Sequence, residues 1–315
     1  MTTQEDAPGR LLAGKYELVE KLGQGGMAIV WRARTLGAAG FFRTVAVKRI
    51  EASVRGFDEV VEMFVEEARV GAALQHPNIV QVHDFGVDEH GVHYLVTELV
   101  DGIHLGRFLT GYREQKQETP WQIVTAIMIE VLRALEGAHG RLDERAAVSP
   151  ILHRDVTPGN ILLADTGQVK LADFGLARAM DRGRMTRPNI VKGKLSYLAP
   201  ELLLGLAPSV KCDLFSLGVV MWEALAGERL FDAATDADVV ANIRDGKIPL
   251  LSMKRPNLPI AITSAVHRAL ERDPAQRFDS ARQMLDVLTS VLRVLPESMD
   301  SRMLGPYIRA ARALP

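Results

Sequence analysis

An α+β chain in two lobes is what the 315-residue sequence predicts: a small antiparallel sheet carrying one helix, then a larger, mostly helical half. Three observations predict it. Short alternating apolar runs punctuated by Gly or Asp fill residues 16–100, helical periodicity replaces them after Gly102, and VTELVDG at 96–102 joins the two regions. A composition of 47% hydrophobic and 24% charged residues suits a globular chain with a sizeable core.

Residues 1–15 are polar, lack the apolar stretch of a signal peptide, and read as a flexible lead-in. Strands are expected in YELVEKLG, AIVWRAR, TVAVKRI, IVQVHDFGV and VHYLVTELV, where apolar and polar residues alternate. One helix interrupts them at about 57–74, with Val60, Phe64, Ala68 and Gly71 at three-to-four spacing. His76-Pro77-Asn78 ends it, because proline disfavours helical geometry in the residue before it. Residues 120–139, 213–226, 236–244, 260–271 and 279–293 read as helices, with strand-like runs only near 161–171. The expected domains are therefore 16–100 and 101–292, followed by a tail at 293–315. That tail holds a short amphipathic segment, SRMLGPYIRAARAL, read as a terminal helix docking on its own domain.

Thirty-eight basic residues face 39 acidic ones, so no global charge draws the chain to nucleic acid or an anionic membrane. The single cysteine, Cys212, excludes an internal disulfide and a cysteine-based zinc site. The most apolar run, LFSLGVVMW at 214–222, is too short to span a bilayer. A soluble, cytoplasmic protein is expected.

Three signals carry chemistry. LGQGGMAIVWRA at 22–33 places Gly23, Gly25 and Gly26 in a turn between strands, where a backbone without Cβ atoms can approach phosphates. A strand follows that turn, whereas a dinucleotide fold would need a helix. VAVK at 45–48 ends an alternating strand in Lys48, and Glu67 on the 57–74 helix is positioned to pair with it. Glu66 would lie about 100° around the same helix, nearer its charged face. HRDVTPGNILL at 153–163 is followed by LADFGLAR at 171–178 and LSYLAPE at 195–201. It sets Asp155 and Asn160 in one tight loop, with Asp173 after a short hairpin. Two carboxylates and an amide so arranged suit Mg²⁺, a hard cation, plus one carboxylate to orient a hydroxyl.

This ordered set resembles the signature of protein kinases over roughly residues 16–292. The GGMA turn resembles the bacterial serine/threonine branch, and by the same resemblance Pro158 points to serine/threonine rather than tyrosine specificity. The resemblance implies ATP and Mg²⁺ as cofactors and protein hydroxyls as acceptors. It implies Asp155 as catalytic base, Asn160 and Asp173 as Mg²⁺ ligands, and Lys48, fixed by Glu67, on the phosphates. Leu22, Val30, Ala46 and Leu162 would sandwich adenine, Thr97 would back that pocket, and Glu98 and Val100 would offer backbone hydrogen bonds. Asp213 in DLFSLG would anchor the 153–160 loop, and Arg277 would pair with Glu201 of APE.

The sequence departs from the family twice. Thr157 stands where a lysine usually meets the γ-phosphate, and Lys194 follows Gly193 where a threonine is usual. The two residue types are exchanged, so Lys194 is expected to supply the missing ammonium and Thr157 the hydroxyl. Segment 176–198 carries six basic residues against Asp181 alone, which suits a loop ordered by phosphorylation, with Thr186 as acceptor. Gly159 leaves a preference for arginine before the target residue without support. Phe41 and Phe42 in the insert LGAAGFFRT at 36–44 would bind a partner or pack over the 57–74 helix. Two rival readings are a nucleotide-binding pseudokinase scaffold and a small-molecule phosphotransferase with a similar core. Regulation would come through a partner or an upstream kinase.

Overall fold

Alternation with a period of two sends Val45 and Val47 to one side of their strand and Ala46 and Lys48 to the other. Much of the first half of the protein is built on that split. The computed structural model of the protein describes residues 6–25, 27–51, 58–143, 145–174, 194–296, 299 and 301–314. The chain divides into two compact units, the first comprising residues through Gln75 together with Val80–Val100.

The first unit holds β1 (Leu11–Leu12), β2 (Tyr16–Gln24), β3 (Ala28–Leu36), β4 (Phe42–Ile50), α1 (Asp58–Ala72), β5 (Val82–Val87) and β6 (His93–Glu98). The strands form one antiparallel sheet in the order β1-β2-β3-β4-β6-β5. On one face Leu12, Leu18, Trp31, Val45, Val47 and Val96 form a core. On the other, Ala28, Ile50 and Leu95 pack against Val60, Phe64 and Ala68 of α1. Full burial of a side chain such as Phe64 contributes about 1.5–3 kcal/mol, and it presses α1 onto the face that carries Lys48.

Two expectations are corrected here. The lead-in is not flexible from Asp6 onward. Leu12 is fully buried, Gly9 N–H donates to Leu18 C=O at 2.7 Å, and the buried Arg49 guanidinium bonds both Asp6 and Asp88. A two-residue strand has no periodicity to read, and the Asp6–Arg49 pair joins residues 43 apart. Phe41 and Phe42 do not pack over α1: they are 71% and 55% exposed. The Arg34 guanidinium lies over the Phe42 ring at 5.3 Å.

The second unit contains His76–Ile79, Asp101–Phe174 and the residues from Lys194 onward. It begins with β7 (Gly102–His104), α2 (Leu105–Glu114), α3 (Trp121–His139), β8 (Ile161–Ala164) and β9 (Val169–Leu171). There follow α4 (Pro200–Leu203), α5 (Val210–Ala226), α6 (Asp236–Asp245), α7 (Leu251–Lys254), α8 (Ile260–Ala269), α9 (Ala281–Arg293) and α10 (Ser301–Arg312). Every residue of α5 from Cys212 to Leu225 is buried, which marks it as the central helix. Strands β7, β8 and β9 form a small antiparallel sheet, and Ile79 bridges to Leu171. Asn78 locks that bridge by donating to Val169 C=O at 3.0 Å and to Glu130 at 2.8 Å.

Helix α2 was not expected, because LGRFLTGYRE carries two glycines and weak helix formers. Tertiary packing forms it nonetheless: Leu105 and Phe108 are fully buried, and His104 Nδ1 caps the first turn by accepting from Arg107 N–H at 3.1 Å. The expected tail helix is α10. It buries Leu304, Ile308 and Ala311, donates from Arg309 to Asp165 C=O at 2.6 Å, and pairs Arg312 with Asp101 at 3.0 Å. Among the described residues no helix is long and apolar enough to cross a membrane.

Candidate active site

In the first unit, Lys48 lies opposite Val30 on β3 and Leu95 on β6. Its Nζ donates to Glu67 Oε1 at 2.7 Å, and the carboxylate side chain is only 4% exposed. Glu66 turns to Arg69 at 3.2 Å. The two acidic neighbours divide as helix geometry requires, one inward and one outward. An ion pair this enclosed fixes the ammonium in position, because withdrawing either partner would strand a charge in low dielectric.

Around that pair, Ala46 lies opposite Thr97, and Val30, Ala46, Thr97, Glu98 and Val100 are all half-buried, with Leu22 exposed. Glu98 N–H donates to Gln81 C=O at 2.9 Å, and its carboxylate accepts from Gln81 N–H at 2.8 Å, which ties the end of β6 to the sheet. At the glycine turn, Gly25 N–H closes onto Ala28 C=O at 2.9 Å. A Cβ built on Gly23 would meet no protein atom within 4 Å, and neither residue has a positive φ. The fold itself does not demand glycine at Gly23; what glycine leaves there is room for an approaching group. Gly26 lies outside the described residues.

In the second unit the 153–160 loop is pinned from below. The fully buried Asp213 carboxylate accepts from His153 N–H at 2.9 Å, Arg154 N–H at 2.7 Å and His139 Nε2 at 2.8 Å. Burial alone would push the Asp213 carboxyl up, but the His139 bond and the backbone donors outweigh it and hold the group below the usual carboxylate range. Arg154 sits at φ 62° and Asp173 at φ 61°, a left-handed backbone that costs about 1–3 kcal/mol for a residue other than glycine. At Arg154 the Asp213 bonds oppose that strain.

The His153 ring continues the scaffold. Its Nδ1 accepts from Asp155 N–H at 3.2 Å, its Nε2 donates to Ala172 C=O at 2.8 Å, and Phe174 meets it edge-on at 4.4 Å between centroids. Asn160 Nδ2 donates to both Asp155 C=O and Asp155 Oδ2 at 2.8 Å, and Lys194 Nζ donates to the same Oδ2. Thr157 is buried in this loop, and Leu162 is half-buried on β8 opposite Lys170. Ala172 N–H donates to Asn160 C=O at 2.8 Å, which ties the segment bearing Asp173 to the loop.

The donors present fit Mg²⁺. With both Nδ2 hydrogens of Asn160 committed to Asp155, its carbonyl oxygen is the atom left to meet a cation, and Asp173 adds carboxylate oxygens. Among the described residues no group of three or more His, Cys, Asp or Glu side chains could cage a metal. Mg²⁺ at phosphate-transfer sites is held by one or two protein oxygens plus the substrate phosphates, so a sparse donor set suits it.

Sequence reasoning missed His139, which holds Asp213 from 74 residues away and left no local signal. The expected Glu201–Arg277 pair is present and bidentate, both bonds at 2.7 Å. Thr186 and Gly193 lie outside the described residues.

Residues 16–290 match the protein kinase domain family. The chain belongs to that family. Tyrosine-protein kinase MasK of Myxococcus xanthus is 35% identical over 94% of this chain and 46% of its own length. Serine/threonine-protein kinase PknA of Mycobacterium tuberculosis is 36% identical over 90% of this chain and 62% of PknA. The chain therefore spans less than two thirds of these curated relatives. Among solved structures, the Mycobacterium tuberculosis PknI kinase domain superposes with a TM-score of 0.66 at 30% identity, covering 91% of this chain and 99% of that domain.

Proposed function

We propose that this kinase domain transfers the γ-phosphate of ATP to serine or threonine hydroxyls of proteins. The observation that carries the reading is the Asp155 carboxylate, held by Asn160 in a loop anchored on buried Asp213. Asp155 orients the acceptor hydroxyl and takes its proton. Lys48, fixed by Glu67, neutralises phosphate oxygens, and the turn at Gly23–Gly26 approaches the phosphate chain. The family resemblance assigns adenine contacts to Leu22, Val30 and Ala46, with Thr97 behind them and the backbone of Glu98 and Val100, and separately to Leu162. Asn160 and Asp173 would hold Mg²⁺, which when bound screens the phosphate charge. The reading places the domain in the cytoplasm, where ATP and Mg²⁺ are supplied, with protein substrates as partners.

Pro158 and the serine/threonine kinases among the relatives support hydroxyl acceptors on serine and threonine; the name of the MasK relative makes tyrosine the alternative that phosphoamino-acid analysis must exclude. The basic 176–198 segment supports control by phosphorylation at Thr186 through an upstream kinase or the domain itself. The test is radiolabelled ATP with Mg²⁺, a panel of protein and sugar acceptors, and Asp155→Asn beside the wild type. Label on protein serine or threonine, lost on adding EDTA and reduced about 10²–10⁴-fold in the variant, is expected. Equal labelling by wild type and variant overturns the reading. Label on sugars alone would make it a small-molecule phosphotransferase. Mass spectrometry of the same sample tests Thr186.

A further inference from the structure

We propose that Lys194 is a catalytic residue of this site: the cation that meets the γ-phosphoryl group beside Asp155, in exchange with the neutral Thr157. The inference rests on the kinase reading and deepens it.

Four observations carry it. Lys194 Nζ donates to Asp155 Oδ2, the oxygen that Asn160 also grips, so an ammonium already stands at the reacting end of the carboxylate. The Lys194 side chain is 47% exposed against 9% for Asp155, so the ammonium is the solvent-facing partner of an enclosed carboxylate. The backbone that presents it is fixed by its neighbours. Ser196 Oγ donates to Phe231 C=O at 2.9 Å, Ser216 Oγ to Tyr197 C=O at 2.7 Å, and Tyr197 OH to the buried Glu223 at 2.8 Å. Finally, Thr157, two residues beyond Asp155 and only 8% exposed, brings a hydroxyl and no charge.

A structural role does not account for this lysine. A half-exposed ion pair contributes little to stability, because water screens it and holding two side chains costs entropy. Phosphoryl transfer, by contrast, spreads negative charge over the γ-phosphoryl oxygens as it proceeds, and positioned cations do most of the work. At Asp155 the cation that donates to the carboxylate is Lys194. The three hydrogens of the Lys194 ammonium allow it to hold Asp155 and a phosphoryl oxygen together.

In the step itself the acceptor oxygen bonds to the γ-phosphorus. The bond from that phosphorus to the bridging oxygen breaks, its electron pair leaving with ADP, and the hydroxyl proton passes to Asp155. Lys194 keeps its protons throughout; it neutralises charge and holds the two reactants in register.

The experiment compares steady-state kinetics for Lys194→Thr, Thr157→Lys and the double exchange, with Lys194→Ala beside Lys192→Ala. Melting temperature and Mg-ATP affinity are measured on each to verify folding. Lys194→Ala and Lys194→Thr are expected to lower kcat about ten- to a hundred-fold, with KM for ATP changed far less. Lys192→Ala removes the same charge from the same segment and should leave kcat within about threefold. The double exchange should recover most of the kcat that Lys194→Thr loses, because it returns an ammonium to the loop. Equal kcat for Lys194→Ala and Lys192→Ala in folded protein overturns the inference and leaves the kinase reading standing. So does a double exchange no better than Lys194→Thr. A wild type that binds Mg-ATP yet labels no acceptor overturns the kinase reading and this inference with it.

Discussion

Arg277→Met is expected to destabilise the second unit severely. The guanidinium is 1% exposed and every one of its nitrogens is engaged. Nη1 and Nη2 each reach Glu201 at 2.7 Å; Nη1 also reaches Lys211 C=O at 3.1 Å, Nη2 Arg272 C=O at 3.1 Å, and Nε Glu271 C=O at 2.6 Å. Methionine fills the volume but leaves Glu201, 5% exposed, as a buried carboxylate that has lost its charged partner and keeps the weak Cys212 thiol donor at 3.2 Å and its own backbone N–H. Breaking one side of a buried pair costs about 3–5 kcal/mol. At about 2–4 °C per kcal/mol for a domain of 150–250 residues, the melting temperature should fall by about 6–20 °C. The pH dependence has a definite sign. Burial alone would raise the Glu201 carboxyl, but Arg277 holds it below its ordinary 4.5. In the wild type that stabilisation is complete above the ordinary value and is lost as pH falls through the depressed one. In the variant burial prevails, so acidification relieves the penalty, and the gap between the two proteins should close below about pH 5. Calorimetry across pH 4–8 measures both effects. A midpoint within 2 °C of wild type at pH 7, or a gap that widens on acidification, would refute the reasoning.

Two further outcomes follow from the same structure. Lys48→Met removes a cation from phosphate and takes the ammonium bond from the buried Glu67 carboxylate, so kcat/KM should fall about ten- to a hundred-fold with a lower melting temperature; unchanged kcat/KM would mean that Lys48 touches no phosphate. Asp213→Asn replaces a carboxylate that accepts three bonds by an amide with one acceptor oxygen, leaving at least one loop N–H poorly paired. It should cost about 1–3 kcal/mol and speed hydrogen exchange at the His153 and Arg154 amides; unchanged exchange there would sink the anchoring argument.

The candidate site residues were legible as candidates because their types and order carry the signal. Lys48, Asp155, Asn160 and Asp173 each belong to a short run whose composition implies a charged or metal-binding task, and the period of two in β4 already put Lys48 on the face away from Val45 and Val47. Glu67 was legible over Glu66 because a helix turns by about 100° per residue. Helix α2 was not, since buried Leu105 and Phe108 overrode weak local propensity, nor were β1 and the Asp6–Arg49–Asp88 network.

The chain by itself determined which side chains are candidates to move a phosphate, and that threonine stands at 157 and lysine at 194. Only tertiary structure decided that Lys194 reaches the Asp155 carboxylate, that His139 steadies Asp213, and that Phe41 and Phe42 stay exposed. The physical reason is one of range. Alternation and helical turn act between neighbours, whereas a buried charge takes whichever partner the fold brings near, here 74 residues away for His139 and 39 for Lys194.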